Sequence, residues 1–244
     1  MKKSLAVCLL GLFLIGSIAY FGHGQTAQEV LDKMIQAQGG RKAVASIKDT
    51  TMNGTVEMIT MGISGTITMY QKEPDKMRID MEFMGQVVTQ AYDGEKGWMI
   101  VPQMGTQEAT GKQGEDLKKQ AISLSNDAML NPEKYGITFA FKGKEKIQDK
   151  EYLVLEQAFK DGDKATMHID PATYLIFKSK SKSTDPSGAE VDAETFSSDY
   201  KKVGDSMVPH TITVFQSGAE FLKMTFSKVT YNTGLEDAFF KMSK

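Results

Sequence analysis

The feature that most constrains this fold is a stretch of alternating apolar and polar residues between Met52 and Pro102. Successive side chains of a β-strand point to opposite faces, so the alternation predicts strands with one apolar and one polar face. The clearest segment is 76–83, and segments 52–58 and 63–69 repeat its pattern. Together the three segments predict a meander of strands that share an apolar face.

Methionine is concentrated on this predicted face. Nine of the fifteen methionines after the first residue fall between Met52 and Met104. Methionine side chains are flexible and polarizable, and surfaces rich in them adapt to ligands of variable shape. The alternative is that these residues are plain core, and for Trp98, the only tryptophan, a core position between sheet and helix competes with a place in a cavity wall. The candidate ligand-contacting residues are Met52, Val56, Met58, Ile67, Met69, Met77, Ile79, Met81, Phe83, Trp98 and Ile100.

The first 24 residues have the order of a secretory signal peptide, with Lys2 and Lys3, an uncharged run over 5–21 and small residues at 22–24. An uncleaved membrane anchor is the alternative, but the 17-residue run falls short of the roughly 20 residues that span a bilayer. Cys8 is the only cysteine and lies in this segment, so residues 25–244 contain no thiol, disulfide or lipid-modified cysteine. We therefore predict one soluble, exported domain over 25–244.

The charge balance excludes one class of partner. Without Lys2 and Lys3 the chain has 27 basic and 31 acidic residues, so its formal net charge moves from −2 to −4. No basic patch or nucleic-acid motif is present, and we predict that the protein does not bind nucleic acid.

Helical spacing is confined to a few short segments. Apolar residues recur at helical spacing in 26–38, which ends at Gly39-Gly40, and a second short helix is predicted at 41–47. Seven further strands are predicted between 137 and 230, and no strand–helix–strand alternation occurs, so the sheet should be antiparallel. The chain is predicted to be mainly β, of the α+β class.

A candidate lid interrupts the predicted strands. Residues 103–114 are polar and glycine-containing, as is typical of a flexible loop, and 115–130 should form an amphipathic helix. An ordinary packed helix is the equal alternative. The lid stripe consists of Leu117, Ala121, Leu124 and Ala128.

Motifs for chemistry are nearly absent. The two histidines after residue 24, His168 and His210, have no partner at metal-ligand spacing and are expected at the surface or at strand ends. No phosphate loop, dinucleotide fingerprint or nucleophile elbow is present. We therefore predict no cofactor, no metal site and no enzymatic activity.

Several short motifs, in their order along the chain, carry a family resemblance. They are Thr-Met-Tyr-x-x-x-Pro-Asp-Lys-Met-Arg over 68–78, Tyr-Asp-Gly-x-x-Gly-Trp over 92–98, Asp-Tyr-Lys-Lys-Val over 199–203 and Val-Pro-His over 208–210. The chain resembles the LolA-like outer-membrane lipoprotein-sorting proteins over nearly all of 25–244. The resemblance implies an unclosed antiparallel β-barrel of about 11–12 strands wrapped around short α-helices. It also implies that the concave apolar face holds acyl chains.

One position departs from the family. The carriers have an arginine just before the proline of the first motif, which latches the lid helices, and this chain has Glu73. The resemblance therefore does not extend to an arginine latch or to energy-coupled loading from a transporter. Without an arginine to bond the helix carbonyls, we expect the lid to open readily. We also expect one edge of the sheet near Lys178–Lys182, where lysine and serine alternate.

The resemblance implies a periplasmic protein that binds lipoproteins or lipids and transfers them to the outer membrane. Its partners would be lipidated proteins or lipids, with a membrane transporter or outer-membrane receptor as a further partner. The alternative is an envelope sensor of the same fold that recognises a lipid or lipoprotein and signals through a partner. The third hypothesis is an enzyme that acts on a lipid headgroup.

Overall fold

The computed structural model describes residues 25–184 and 189–242. The predicted signal peptide, with Cys8, lies outside the described residues. The helices are α1 (Ala27–Ala37), α2 (Arg41–Ser46), α3 (Gly111–Leu124) and α4 (Asn126–Leu130). The strands are β1 (Asp49–Met58), β2 (Ile63–Lys72), β3 (Lys76–Phe83), β4 (Gln86–Tyr92), β5 (Gly97–Val101), β6 (Gly105–Ala109), β7 (Thr138–Ile147), β8 (Lys150–Ala158), β9 (Lys164–Ile169), β10 (Ile176–Thr184), β11 (Glu190–Val203), β12 (Ser206–Gln216) and β13 (Ala219–Tyr231).

The strands form one antiparallel sheet in the order β6-β5-β4-β3-β2-β1-β13-β12-β11-β10-β9-β8-β7. Each strand pairs with its neighbour in sequence, except where β1 pairs with β13 and where α3 and α4 separate β6 from β7. Strands β6 and β7 end the sheet and do not pair with each other, so the barrel is unclosed. The predicted class and architecture are confirmed, with 13 strands instead of about 12. The additional strand, β6, lies within the predicted loop 103–114.

The predicted sheet edge near Lys178–Lys182 is wrong. These residues belong to β10, which pairs with β9 on one side and β11 on the other. Their lysines alternate because one face of β10 carries ion pairs to β11, including Lys178 to Glu194 at 2.7 Å and Lys182 to Asp192 at 2.8 Å. Lysine alternation therefore reflects a charged sheet face, and the edges are β6 and β7.

All four helices lie on one side of the sheet, which we call the inner face. Helix α1 begins with a capping box between Thr26 and Glu29. Its buried Val30 and Met34 pack on the inner residues of β8 and β9, such as Leu155. On its other flank, α1 packs with α2 and α4. Helices α1, α2 and α4 thus cover the inner face over the β7–β9 part of the sheet, and α3 covers it over β3–β6.

The C-terminal segment crosses the opposite, outer face. After β13, the carboxylate of Asp49 accepts hydrogen bonds from the backbone N–H groups of Thr233 at 2.7 Å and Gly234 at 3.0 Å. The segment ends in a 3-10 turn, Asp237–Phe240, whose Phe240 is fully buried. This strap therefore gives the outer face of β3–β5 its own apolar cover.

Candidate functional site

The sheet register brings the predicted methionine face together across β1, β2 and β3. Met52 of β1 pairs with Met69 of β2, which pairs with Ile79 of β3. Ile67 likewise pairs with Met81. Cross-strand partners share a face, so the nine candidates from Met52 to Phe83 all lie on the inner face.

The structure divides these nine residues into two groups. Five are buried in a core with Leu117 and Ala121 of α3, namely Val56, Ile67, Met77, Ile79 and Phe83. The other four, Met52, Met58, Met69 and Met81, are only half-buried and pack against the edge of that core. The first group is therefore core in this conformation, whereas the second remains open to contact.

The half-buried methionines belong to a larger apolar surface, which we call the open strip. Strands β12 and β13 add residues to it that the sequence analysis had not singled out. Met224 pairs with Val56 of β1, and Leu222 pairs with Met58. The signal for them was present, because Leu222, Met224 and Phe226 alternate with polar residues. The open strip consists of Met52, Met58, Ile63, Met69, Met81, Ile212, Leu222 and Met224.

Trp98 and Ile100 do not lie on the methionine face. Trp98 pairs with Ala91, which pairs with Arg78, so these residues share the outer face. The indole N–H of Trp98 donates a 2.7 Å hydrogen bond to the carbonyl oxygen of Phe240, and the Arg78 guanidinium lies 5.7 Å from the indole centroid. Ile100 pairs with Thr89 on the same outer face. Trp98 is thus a core residue beneath the C-terminal strap, and neither residue contributes to the open strip.

The predicted lid helix is two helices broken at Ser125. Leu117, Ala121 and Ala128 are buried, as predicted for the inward stripe, but Leu124 is 38% exposed. Helix α3 lies close against the sheet because Gly97 has no side chain there. A Cβ at Gly97 would stand 2.9 Å from Leu117 Cδ1. The segment is therefore docked in this conformation.

Two residues of β2 and its following turn clamp the break between the helices. Glu73 accepts hydrogen bonds from the Ser125 hydroxyl at 2.7 Å and from the backbone N–H groups of Asn126 at 2.9 Å and Asp127 at 3.1 Å. Gln71 donates to the Leu124 carbonyl oxygen and, at 3.2 Å, to a Glu73 carboxylate oxygen. We call this arrangement the carboxylate clamp.

The carboxylate clamp corrects one expectation. An unlatched lid was predicted because Glu73 cannot bond helix carbonyls, but a carboxylate can accept from the free N–H groups at a helix start. Burial raises the pKa of Glu73 above its ordinary value of 4.5, while the bonds from Ser125, Asn126 and Asp127 act to lower it. Position 73 therefore holds a latch that accepts hydrogen bonds from the helix start, where an arginine would donate them to helix carbonyls. Burying the Glu73 carboxylate carries a desolvation cost.

Both histidines are buried, so the expectation of surface positions is wrong, although His168 lies one residue from the end of β9. His168 Nε2 lies 2.9 Å from Glu145 Oε2, and His210 Nδ1 lies 3.0 Å from the Val208 carbonyl oxygen. Within the described part of the chain, no group of three or more His, Cys, Asp or Glu side chains is placed to hold a metal ion. The open strip itself is wholly apolar, so it is suited to binding and offers no reactive group.

In the described ranges, no helix is long and apolar enough to cross a bilayer. No protein-family model and no curated protein matches the sequence.

Several solved structures share the fold. A LolA superfamily protein from Nitrosomonas europaea is 14% identical, with a TM-score of 0.59 over 89% of this chain and 98% of that chain. A DUF1329 family protein from Desulfovibrio piger is 15% identical, with a TM-score of 0.58 over 88% and 97% of the two chains. An outer membrane lipoprotein-sorting protein domain from Vibrio parahaemolyticus is 18% identical, with a TM-score of 0.55 over 88% and 97%. This chain therefore has the fold of the LolA superfamily and of an outer membrane lipoprotein-sorting domain, as its motifs suggested.

Proposed function

We propose that this protein binds the acyl chains of lipoproteins or lipids on its open strip and transfers them to the outer membrane from the periplasm. A membrane transporter or an outer-membrane receptor would be its partner at either end of the transfer. The observation that supports this most directly is a continuous, half-buried surface of methionine, leucine and isoleucine on the inner face of a LolA-like sheet. A soluble domain ordinarily covers such a surface.

The energetics indicate how the strip would hold a chain. An acyl chain loses about 0.8 kcal/mol per CH₂ on leaving a bilayer, so a 16-carbon chain needs roughly 12 kcal/mol of equivalent burial. A strip that is open on one side buries about half of that chain's surface and returns about half of this energy. The other half requires a second wall, and α3 is placed to supply it because it already covers the adjoining residues of the same face.

Binding of a fluorescent fatty-acid probe tests the proposal. Met69→Asp and Met81→Asp place an unpaired charge against the ligand, at a cost of several kcal/mol, and should abolish probe binding. Thr225→Asp is the matched control, since Thr225 is exposed on the outer face and pairs with Thr55 and Thr211.

Circular dichroism and urea unfolding would verify that all three variants are folded. Unchanged probe affinity in both methionine variants would refute the proposed site. Mass spectrometry of lipid co-purified from cells would identify the ligand, and an absence of any acyl-containing species would count equally against the proposal.

A further inference from the structure

Four hairpin loops lie at one end of the part of the sheet formed by β13 and β1–β6, and we call this group of loops the apolar rim. Met58 of β1 pairs with Ile63 across the first loop and with Leu222 of β13, which places the β12–β13 loop at the same end. The register of β2 with β3 brings the β3–β4 loop there as well, and that of β4 with β5 the β5–β6 loop. The loops of the rim are 59–62, 84–85, 102–104 and 217–218.

Exposed apolar side chains are concentrated on this rim. The described residues include seven exposed large hydrophobic side chains, and five of them lie on these loops or next to them. Met84 is 86% exposed, Met104 64% and Met61 62%. The five are Ile59, Met61, Met84, Val87 and Met104.

Charged residues have the opposite distribution between the two ends of strands β1–β6. Segments 58–64, 83–92 and 97–107 contain no charged residue, although 25% of the chain is charged. At the other end of these strands, Asp75, Asp93 and Glu95 of the β2–β3 and β4–β5 turns line a polar pocket of about 300 Å³ together with Lys76 at the start of β3, Asp237 and Lys241. Strands β1–β6 therefore have one charged end and one apolar end, whereas the β8–β9 loop, at the rim end of the sheet, carries Lys160, Asp161 and Asp163.

The open strip runs out to the apolar rim. Met58, Ile63 and Leu222 belong to the strip and are also the residues that flank the first loop or pair with it. A chain entering the strip over these four loops would pass no charged side chain on them. The rim and the strip thus form one continuous apolar path from the end of the sheet to its inner face.

We propose that the apolar rim inserts into the surface of a phospholipid bilayer and presents the open strip to the lipid, a docking mode that rests on the proposed function. A bilayer fits better than a protein partner because protein interfaces surround their apolar centre with charged and polar residues. Segments that insert into hydrocarbon instead lack charged residues throughout, and these four loops contain none. With no lysine or arginine on the loops, docking does not depend on anionic lipid.

Flotation with pure phosphatidylcholine vesicles tests the docking. Residues 25–244, without the apolar run of the predicted signal peptide, should partition onto these vesicles, and Met61→Asp combined with Met84→Asp should lower the partition coefficient at least tenfold. Met242→Asp is the matched control, since Met242 is also exposed but lies outside the rim. Equal partition coefficients for the rim variant and the control would overturn the proposal. So would a failure of the unmodified protein to bind the vesicles, or vesicle binding that high salt removes.

A site-specific probe shows which end faces the lipid. In residues 25–244, which contain no cysteine, a polarity-sensitive dye is attached at Met84→Cys. Its fluorescence emission should shift to the blue when vesicles are added, and it should be quenched by a quencher attached to the lipid chains. The same dye on Glu95→Cys, at the charged end, should show neither effect. Equal responses at the two positions would overturn the docking geometry.

Fatty-acid probe binding in solution separates this proposal from the proposed function. The rim variant should keep full probe affinity while losing vesicle binding. Rim-dependent vesicle binding without any probe binding would leave the docking intact and refute the acyl site. If the protein binds the probe but the rim variant partitions onto vesicles as well as the unmodified protein, the acyl site is supported and the docking is refuted.

Discussion

The carboxylate clamp gives the sharpest prediction, because three substitutions at Glu73 separate its charge from its hydrogen bonds. Glu73→Ala removes the acceptor of the Ser125 hydroxyl and of two backbone N–H groups. Buried donors left without an acceptor cost about 1–3 kcal/mol. Water can reach the start of α4 once the lid lifts, so we expect the loss to appear mainly as lid opening.

Glu73→Gln keeps an acceptor oxygen at nearly the same place and removes the charge. Burial raises the pKa of Glu73 more than its hydrogen bonds lower it, so the desolvation cost of its charge exceeds the stabilisation from those bonds. The glutamine variant should therefore change the free energy of unfolding at neutral pH by less than about 1 kcal/mol. Glu73→Arg, the residue of the resembling carriers, would set a positive charge against the N–H groups at the start of α4 and should destabilise the lid at least as much as alanine.

The pH dependence has a definite sign. The pKa of Glu73 is raised above 4.5 in the folded protein, so the folded state binds a proton that the unfolded state has lost. The contribution is fully present below pH 4.5 and is lost as the pH rises through the raised pKa. Acidification within this window should therefore close the lid more firmly, and Glu73→Gln should remove that dependence.

Urea unfolding at a series of pH values from below 4.5 to neutrality measures how the free energy of unfolding depends on pH. Hydrogen exchange of the α4 amides measures how readily the lid opens. Matched exchange in the alanine, glutamine and unmodified proteins would refute the clamp. A stability gain on raising the pH, present in the unmodified protein and absent from the glutamine variant, would refute the sign. Ser125→Ala removes one of the three donors and also the hydroxyl that accepts from the Ala128 N–H at the start of α4, so it should accelerate exchange of α4 while Glu73 keeps its two backbone N–H bonds.

Three further predictions concern positions away from the clamp. Trp98→Phe removes the bond to the Phe240 carbonyl and should lower the free energy of unfolding by about 1–3 kcal/mol without changing fatty-acid probe affinity, measured by urea unfolding and titration. Gly97→Ala would bring a Cβ to 2.9 Å from Leu117 Cδ1, so hydrogen exchange of α3 should accelerate. Asp49, despite its burial, has a pKa lowered below 3.8 by its bonds from the C-terminal strap. Its stabilisation is present above pH 3.8 and lost as the pH falls, and acid unfolding of Asp49→Asn should lack this loss.

The inner-face strands were predictable because apolar and polar residues alternate in each of them, and the apolar positions of neighbouring strands pair with one another. Each segment of 52–83 has its own period of two, and the antiparallel meander aligns the apolar positions of neighbouring strands. The same rule failed for Trp98 and Ile100. Their strand has apolar residues on both faces, since the C-terminal strap covers the outer side. A strap formed by residues over 130 positions away leaves no signal in the local pattern.

Strand β6 and the clamp were missed for different physical reasons. The sequence of β6, Gly-Thr-Gln-Glu-Ala, is polar because the strand is an edge with four exposed residues, and such an edge has no apolar alternation. Glu73 was interpreted through the arginine that it replaces, as a loss of carbonyl bonds. The break at Ser125 exposes new N–H donors beside it, and that break depends on packing that sequence periodicity does not report.

Hydrogen exchange of the lid in the absence and presence of lipid would show whether the buried half of the methionine face also becomes a ligand site. Only Leu117, Ala121 and Ile122 of α3 are buried, so α3 should open on the microsecond-to-millisecond scale usual for lids and exchange faster than Met77–Phe83. Opening exposes the core residues beneath α3, which would extend the open strip. Helix α3 would then close over the bound acyl chain as its second wall. Amides of 115–130 should therefore slow when a fatty acid is added, and they should slow less in Met69→Asp. Equal protection of α3 and β3 without lipid would show that α3 is a fixed part of the core and that the ligand site is confined to the open strip.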